Sequence, residues 1–287
     1  MNDARELPPQ PPAGEARPKR SELGARIGSA AVMGLAAILT AWLGGFLFIL
    51  FWAFAAIAVW WEWLGVIKAA QRPLLAGVGA VSIAGMAVAL IAGAPAFAFV
   101  STVIGAAVAM SAASNGRIWV GAGIFYAAAI LIPAAMLREH AALGFVTILW
   151  LFAAVWATDT GAYFAGRAFG GPKLAPAISP KKTWSGAIGG TLAGMIAGHL
   201  VLFAAGIAWH PMHTLATFAV IVAAQFGDLL ESGIKRHFDV KDASALLPGH
   251  GGLMDRLDGF LAAAFVALVI GLAAGGVQTP ATGLLSW

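Results

Sequence analysis

The sequence predicts an all-α, polytopic helical membrane protein with about nine transmembrane helices. Of its 287 residues, 60% are hydrophobic and only 10% are charged, whereas a soluble domain carries about 25% charged residues. Apolar runs of roughly 18 or more residues recur along the chain, and each run is long enough to cross the ~30 Å hydrocarbon core of a bilayer. Apolar and polar residues do not alternate as they do in a transmembrane β-barrel, so we predict a bundle of helices.

Glycine and proline residues divide the apolar sequence into the predicted spans. Gly44 and Gly45 separate the first two, and Arg72-Pro73 begins the third. The predicted spans are 27–43, 45–67, 74–92, 94–112, 118–136, 142–165, 185–207, 212–230 and 257–277. Their Gly, Ala and Ser content permits the close helix packing typical of membrane bundles. Tryptophans that fit an interfacial aromatic belt are Trp42, Trp52, Trp60, Trp61, Trp63 and Trp209.

Three regions follow from this division. Residues 1–25 are rich in Pro, Glu and Arg and are expected to form a disordered cytosolic tail without a signal peptide. Residues 26–140 are predicted to form the N-terminal transmembrane helices, and residues 141–287 the C-terminal transmembrane catalytic region. The absence of cysteine excludes thiolate metal sites and cysteine nucleophiles.

The distribution of basic residues predicts the orientation. With the N-terminus on the cytosolic side, only Arg138 among the 17 Lys and Arg residues falls in an external loop, as the positive-inside rule requires. We therefore expect a multi-pass protein of the bacterial cytoplasmic membrane. The net charge of +4 is carried by short loops rather than by a continuous basic face, so we do not expect nucleic acid as a partner.

The most strongly charged stretch lies between the last two predicted spans, at 225–259. Asp228 ends one span, and Asp255 and Asp258 begin the next. The spacing of three places Asp255 and Asp258 on one helix face. Acidic and basic side chains at the mouth of two membrane helices suggest metal and phosphate chemistry. The alternatives are an ordinary ion pair for Asp228 with Lys235 or Arg236, and a favourable helix-dipole position for the two later acids.

Two further polar features lie upstream. Asp159 is placed inside the sixth predicted span, where a charged residue is costly and is often functional. The loop 166–184 contains Lys181 and Lys182, which follow Ser179-Pro180 and precede Thr183. A basic pair beside hydroxyl groups suits a loop that grips phosphate, although it could equally be a topological anchor.

The spacing of these residues resembles the signature of phosphatidate cytidylyltransferases, also called CDP-diacylglycerol synthases. The matching positions are Ser232-x-Ile234-Lys235-Arg236, Lys241-Asp242-x-Ser244, and Leu247-Pro248-x-His250-Gly251-Gly252-Leu253-x-Asp255-Arg256-Leu257-Asp258. The segments 159–163 and 179–183 are also similar to that family. Ser185 stands where the family usually has an acid, and residues 1–140 match only in hydropathy and around Arg26 and Glu62.

The resemblance implies a Mg²⁺-dependent transfer of CMP from CTP to phosphatidate, giving CDP-diacylglycerol and pyrophosphate. It also implies a homodimer, with a monovalent cation as a further candidate cofactor. Asp228 and Asp255 are assigned to the metal, and the implied catalytic residues are Asp228, Lys235, Arg236, Asp255, Arg256 and Asp258. The implied substrate-binding residues are Asp159, Ser179, Lys181, Lys182, Thr183, Ser232, Lys241, Asp242, His250, Gly251 and Gly252.

Three other functions compete with this interpretation. A CDP-alcohol phosphotransferase would require an Arg soon after Asp258-Gly259, where this chain has Phe260, Leu261 and two alanines. An ion-coupled transporter could use Asp159 and Asp228 within the bundle. A polyprenyl-phosphate sugar transferase would also depend on Asp and Mg²⁺, but it would take a nucleotide sugar as its substrate.

Overall fold

The computed structural model describes residues 19–244, 246 and 251–287. Within these residues the chain forms ten helices and one two-stranded antiparallel hairpin. The helices are α1 (Lys19–Leu43), α2 (Gly45–Val66), α3 (Arg72–Ile91), α4 (Pro95–Ala112), α5 (Arg117–Arg138), α6 (Gly144–Phe169), α7 (Trp184–Ala204), α8 (Pro211–His237), α9 (Met254–Gly275) and α10 (Pro280–Leu285). The strands are β1 (Lys173–Ala175) and β2 (Ser179–Thr183), which connect α6 to α7.

The all-α, polytopic membrane class is confirmed. Across the described residues, 8 helices, α2 to α9, are long and apolar enough to cross a membrane. Helix α1 contains a shorter apolar stretch, Ala30–Leu43, which corresponds to the first predicted span. Because α1 begins at Lys19, residues 19–25 are helical rather than part of a disordered tail. The rest of that predicted tail, residues 1–18, lies outside the described residues.

The charged stretch is more helical than expected. Helix α8 continues to His237, beyond the predicted end at 230, and α9 begins at Met254 rather than at 257. Their connection is therefore shorter than the predicted 231–254 loop, and Lys235 lies on a helix. The α6–α7 connection is also more ordered than a simple loop, because it contains the β1–β2 hairpin.

Three of the four tryptophans of α2 belong to the core, whereas Trp61 is exposed. Trp52, Trp60 and Trp63 are each at most 2% exposed, so their assignment to an interfacial belt was wrong. The indole nitrogens of Trp60 and Trp63 donate to the carbonyl oxygens of Leu75 (3.0 Å) and Trp119 (2.9 Å). A buried indole needs such an acceptor, and the small residues of the neighbouring helices leave room for the rings.

Helices α6 and α7 pack unusually closely through a row of glycines on α7. Gly186, Gly190, Gly194 and Gly198 recur every fourth residue and therefore share one face. A Cβ atom on Gly190 would lie 2.6 Å from the carbonyl oxygen of Thr158 on α6. Small residues allow such backbone approach in membranes. The packing fixes α6, which carries Asp159, against the start of α7.

Helices α8 and α9 make a second close contact beside the charged residues. A Cβ atom on Gly227 would lie 2.5 Å from the carbonyl oxygen of Asp258. Because Gly227 directly precedes Asp228, this contact brings the acidic positions of the two helices next to each other. The polar ends of α6, α8 and α9 and the hairpin thus meet in one region.

Candidate active site

A cavity of about 690 Å³ opens where α6, α7, α8, α9 and the hairpin meet. Its wall contains both carboxylates and cationic side chains. Because charged groups are costly inside a membrane bundle, they usually mark a functional site. The charged residues that line the cavity are Asp159, Arg167, Lys181, Lys182, Asp228, Asp255, Arg256 and Asp258. The cavity therefore gathers the predicted residues of three separate sequence segments.

An ion pair joins the hairpin to α8 inside this cavity. The Nζ atom of Lys182 lies 2.5 Å from Oδ2 of Asp228. The side chains are 26% and 37% exposed, so both remain open to the cavity. Ser232, one helical turn after Asp228, lies at the limit of hydrogen bonding, with 3.5 Å between its Oγ and Oδ1 of Asp228. The observed ion partner of Asp228 is therefore Lys182, and not Lys235 or Arg236, which the sequence had suggested.

The hairpin is held in place by the cap of α7. Thr183 is the N-cap residue of α7, and its Oγ1 accepts a hydrogen bond from the backbone N–H of Gly186 (3.1 Å). The hydroxyl of Ser185 lies 3.1 Å from that same Oγ1 and donates to the carbonyl oxygen of Gly170. Ser185 therefore anchors the start of α7, and β2 presents Lys181 and Lys182 to the cavity.

Asp255 is held by a network at the start of α9. Its Oδ1 lies 2.5 Å from Nζ of Lys235, and its Oδ2 accepts from the backbone N–H groups of Gly252 (2.9 Å) and Ala243 (3.2 Å). Lys235 also forms an ion pair of 2.7 Å with Glu231. The lysine is only 8% exposed, so it bridges two carboxylates in the interior and does not line the cavity.

The remaining predicted residues lie around the cavity rather than in its wall. Arg236 is exposed and donates to the carbonyl oxygen of Val240 (3.1 Å). Lys241 and Asp242 are also exposed. Gly251 has a φ of 80°, a conformation that glycine adopts without strain. The other predicted residues in this group are Ser179, Ser232, Lys235 and Gly252, while His250 lies outside the described residues.

The structure adds polar residues that the sequence interpretation did not select. Gln225 on α8 lines the cavity and donates to Oγ1 of Thr191 (2.9 Å). Arg167 at the end of α6 donates to the hydroxyl of Tyr163 (3.0 Å), and both line the cavity. Glu62 is a buried acid on α2. A polar residue inside an otherwise apolar span was the available signal for Gln225, and for Glu62 this signal added to the family match around that residue.

A second, apolar groove adjoins the polar cavity. It encloses about 760 Å³ between α1, α2, α6 and α9. Its aromatic wall is formed by Phe51, Trp52, Phe54, Phe152, Trp156 and Phe260. Trp52 stacks on Phe260 with 4.7 Å between ring centroids. Asp159 and Arg256 line both spaces, so the polar cavity and the apolar groove meet at these two residues.

Comparison with known proteins identifies the family of the chain. The cytidylyltransferase family profile matches residues 24–273. The phosphatidate cytidylyltransferases of Brucella suis biovar 1 and Brucella abortus (strain 2308) are each 43% identical over 256 residues, which cover 88% of this chain and 94% of the relative. The Staphylococcus haemolyticus enzyme of the same name is 48% identical over 117 residues, covering 40% of this chain and 44% of the relative. Since the match extends over almost the whole helical bundle, the chain belongs to the cytidylyltransferase family.

Proposed function

We propose that the cavity transfers CMP from CTP to phosphatidate, forming CDP-diacylglycerol and pyrophosphate. The observation that carries this proposal is the junction of a charged cavity with an apolar groove at Asp159 and Arg256. A lipid with a phosphate head group needs both environments, since its acyl chains bury apolar surface and its phosphate requires cations. An ion-coupled transporter would have no need for a lipid-sized apolar groove that meets a cavity lined by Lys181, Lys182 and Arg256.

The two substrates occupy different parts of this space. The acyl chains of phosphatidate lie along the aromatic groove between Trp52, Trp156 and Phe260, and the lipid phosphate reaches Arg256 at the junction. The triphosphate of CTP lies against Lys181 and Lys182 on β2. A guanidinium group can hold two phosphate oxygens at once, which suits Arg256 to the lipid phosphate, the group that must be aligned for attack.

The acidic residues fit a magnesium ion. Mg²⁺ usually takes one or two protein carboxylates together with phosphate oxygens and water, so a cluster of three ligands is unnecessary, and none was found among the described residues. Asp228 opens to the cavity and fits well. The sequence prediction pairs it with Asp255, whose oxygens accept from Lys235 and two backbone N–H groups. We propose instead Asp258, whose Oδ1 accepts from the backbone N–H of Gly259, as the second ligand. When bound, the ion would supply charge neutralisation at the phosphates.

The chemistry is an in-line displacement at the α-phosphorus of CTP. An oxygen of the lipid phosphate forms the new P–O bond, and the bond to the departing pyrophosphate breaks. A phosphate nucleophile is already ionised near neutral pH, so no side chain has to act as a strong base. The protein contributes position and positive charge, which Lys181, Lys182 and Arg256 provide. The monovalent cation implied by the family resemblance stays a prediction.

The cavity is proposed to face the cytosol of a bacterial cell. The motivation is the bias of Lys and Arg towards one set of loops. In this cysteine-free chain, a cysteine at exposed Leu246 should be labelled only from the cytosolic side, and one at exposed Glu139 only from outside. The reverse labelling pattern would contradict the orientation. The homodimer also stays a prediction, which chemical cross-linking in native membranes would test.

The proposal is tested by pyrophosphate release from purified protein in detergent. We expect release only with phosphatidate present, and only with CTP or dCTP as the donor. Asp228→Asn should abolish turnover, whereas Asp239→Asn is the matched control, because Asp239 is exposed and its positive φ of 55° is tolerated by Asn. Equal turnover with ATP and UTP, or release without phosphatidate, would contradict the assignment.

A further inference from the structure

Glu62 is a carboxylate buried in the N-terminal half of the bundle, with 0% of its surface exposed. It accepts three hydrogen bonds from the far end of the chain. Its Oε1 accepts from the hydroxyl of Ser244 (2.5 Å) and the backbone N–H of Leu253 (2.9 Å), and its Oε2 accepts from the backbone N–H of Met254 (2.7 Å). We infer that Glu62 is a positioning residue for the CMP transfer, an inference that rests on the proposed function.

Glu62 accepts hydrogen bonds at the start of α9. The first backbone N–H groups of a helix have no partner within that helix, and Leu253, the N-cap residue of α9, makes no side-chain cap. Glu62 supplies the missing acceptor from α2. A carboxylate at this end is also favoured by the helix dipole. Glu62 thus fixes the helix terminus whose first two turns carry Asp255, Arg256 and Asp258.

Glu62 and Asp255 together form a double clamp. Asp255 joins Ala243 to Gly252 through its Oδ2, and Glu62 joins Ser244 to Leu253 through its Oε1. Each carboxylate therefore connects a residue before 245 to a residue after 250. The two acceptors lie so close that a Cβ atom on Gly252 would be 3.0 Å from Oδ2 of Asp255 and 3.1 Å from Oε1 of Glu62.

Glu62 lies apart from the cavity. Glu62 is not among the residues that line it, so it acts through α9 and not on a substrate. Without the clamp, Arg256 and Asp258 would shift relative to Asp228 and Lys182, which are held by α8 and the hairpin. Misplacing reacting groups by ~1 Å costs about 100-fold in rate. Binding of CTP, to which β2 contributes, would change less.

The experiment compares Glu62→Gln with the control Glu139→Gln, which makes the same change at an exposed acid. Glutamine matches glutamate in size, but its NH₂ group cannot accept a hydrogen bond from a backbone N–H. We expect kcat of Glu62→Gln to fall by about 100-fold with KM for CTP changed by less than about threefold. Hydrogen exchange at the amides of residues 252–254 should become faster, while Glu139→Gln should behave as wild type in both measurements.

Ser244→Ala tests the same clamp with a smaller change, and it keeps the test decisive if Glu62→Gln fails to fold. It removes one of the three donors to Glu62, so we expect a smaller loss of kcat. The double variant should be no slower than Glu62→Gln alone, because the two residues share one contact. Additive losses would overturn the inference, and so would wild-type kcat in Ser244→Ala if Glu62→Gln does not fold.

Two other results would also overturn it. One is wild-type kcat in Glu62→Gln, and the other is a loss of kcat without faster exchange at residues 252–254. A wild-type protein that lacks CMP transfer would instead contradict the proposed function. In that case, hydrogen exchange at residues 252–254 in Glu62→Gln would still test the clamp, because it does not depend on activity. Unchanged exchange would overturn the inference.

Discussion

The role of Lys235 can be decided by replacing it with methionine. The family resemblance implied that Lys235 is a catalytic residue, but the structure places its Nζ between Asp255 at 2.5 Å and Glu231 at 2.7 Å. The Glu231 side chain is 1% exposed. Removing one partner of a buried ion pair typically costs about 3–5 kcal/mol, because the other charge is left uncompensated. Asp255 keeps two backbone donors, so most of the loss should come from Glu231.

We therefore expect Lys235→Met to lower the free energy of unfolding by about 3–5 kcal/mol. The assay is a denaturant titration in mixed detergent micelles, followed by tryptophan fluorescence. Lys235→Arg keeps the charge and should lose less. Adding Glu231→Gln to Lys235→Met removes the stranded charge and should recover part of the stability. Wild-type stability of Lys235→Met, combined with a large rise in KM for CTP, would refute this reasoning and favour direct phosphate binding.

Three further predictions concern the walls of the two spaces and the packing behind them. Replacing both Lys181 and Lys182 with Ala should raise KM for CTP at least about tenfold, which corresponds to a loss of ~1.4 kcal/mol of binding free energy. Wild-type kinetics would show that the pair serves only as a topological anchor. Trp156→Ala in the groove should raise KM for phosphatidate but not for CTP, and an equal rise for both would contradict a lipid groove. Gly190→Val should reduce the yield of folded protein, because its side chain would meet the carbonyl of Thr158; normal thermal stability would argue against close α6–α7 packing.

Much of the fold was predictable because a bilayer demands long apolar helices. The order and approximate limits of the spans follow from hydropathy and from Gly and Pro residues. Burial was less predictable. Tryptophan is typical of the membrane interface, but Trp52, Trp60 and Trp63 face the core. Hydropathy measures the character of a side chain, and it does not tell a lipid-facing residue from one that faces another helix. The β1–β2 hairpin was also missed, since its strands are short and contain Pro180.

The site was predictable as a set of segments but not as a set of contacts. Motif spacing brought Asp159, Asp228 and Asp258 into one group, and the cavity contains all three. Spacing could not show that Lys182, rather than Lys235, pairs with Asp228, because that pairing depends on how the hairpin packs against α8. The three hydrogen bonds of Glu62 join residues about 180–190 positions apart, and no local pattern in the sequence reports such a contact.

The most direct test of CMP transfer follows the α-phosphorus of CTP itself. Protein in detergent is incubated with phosphatidate, Mg²⁺ and CTP labelled at the α-phosphate, and the label in the lipid fraction is compared with the pyrophosphate released. We expect one labelled phosphate in the lipid for each pyrophosphate released, and loss of both products in Asp228→Asn. Label that stays in the aqueous phase while pyrophosphate is released, or normal transfer by Asp228→Asn, would contradict CMP transfer at this cavity.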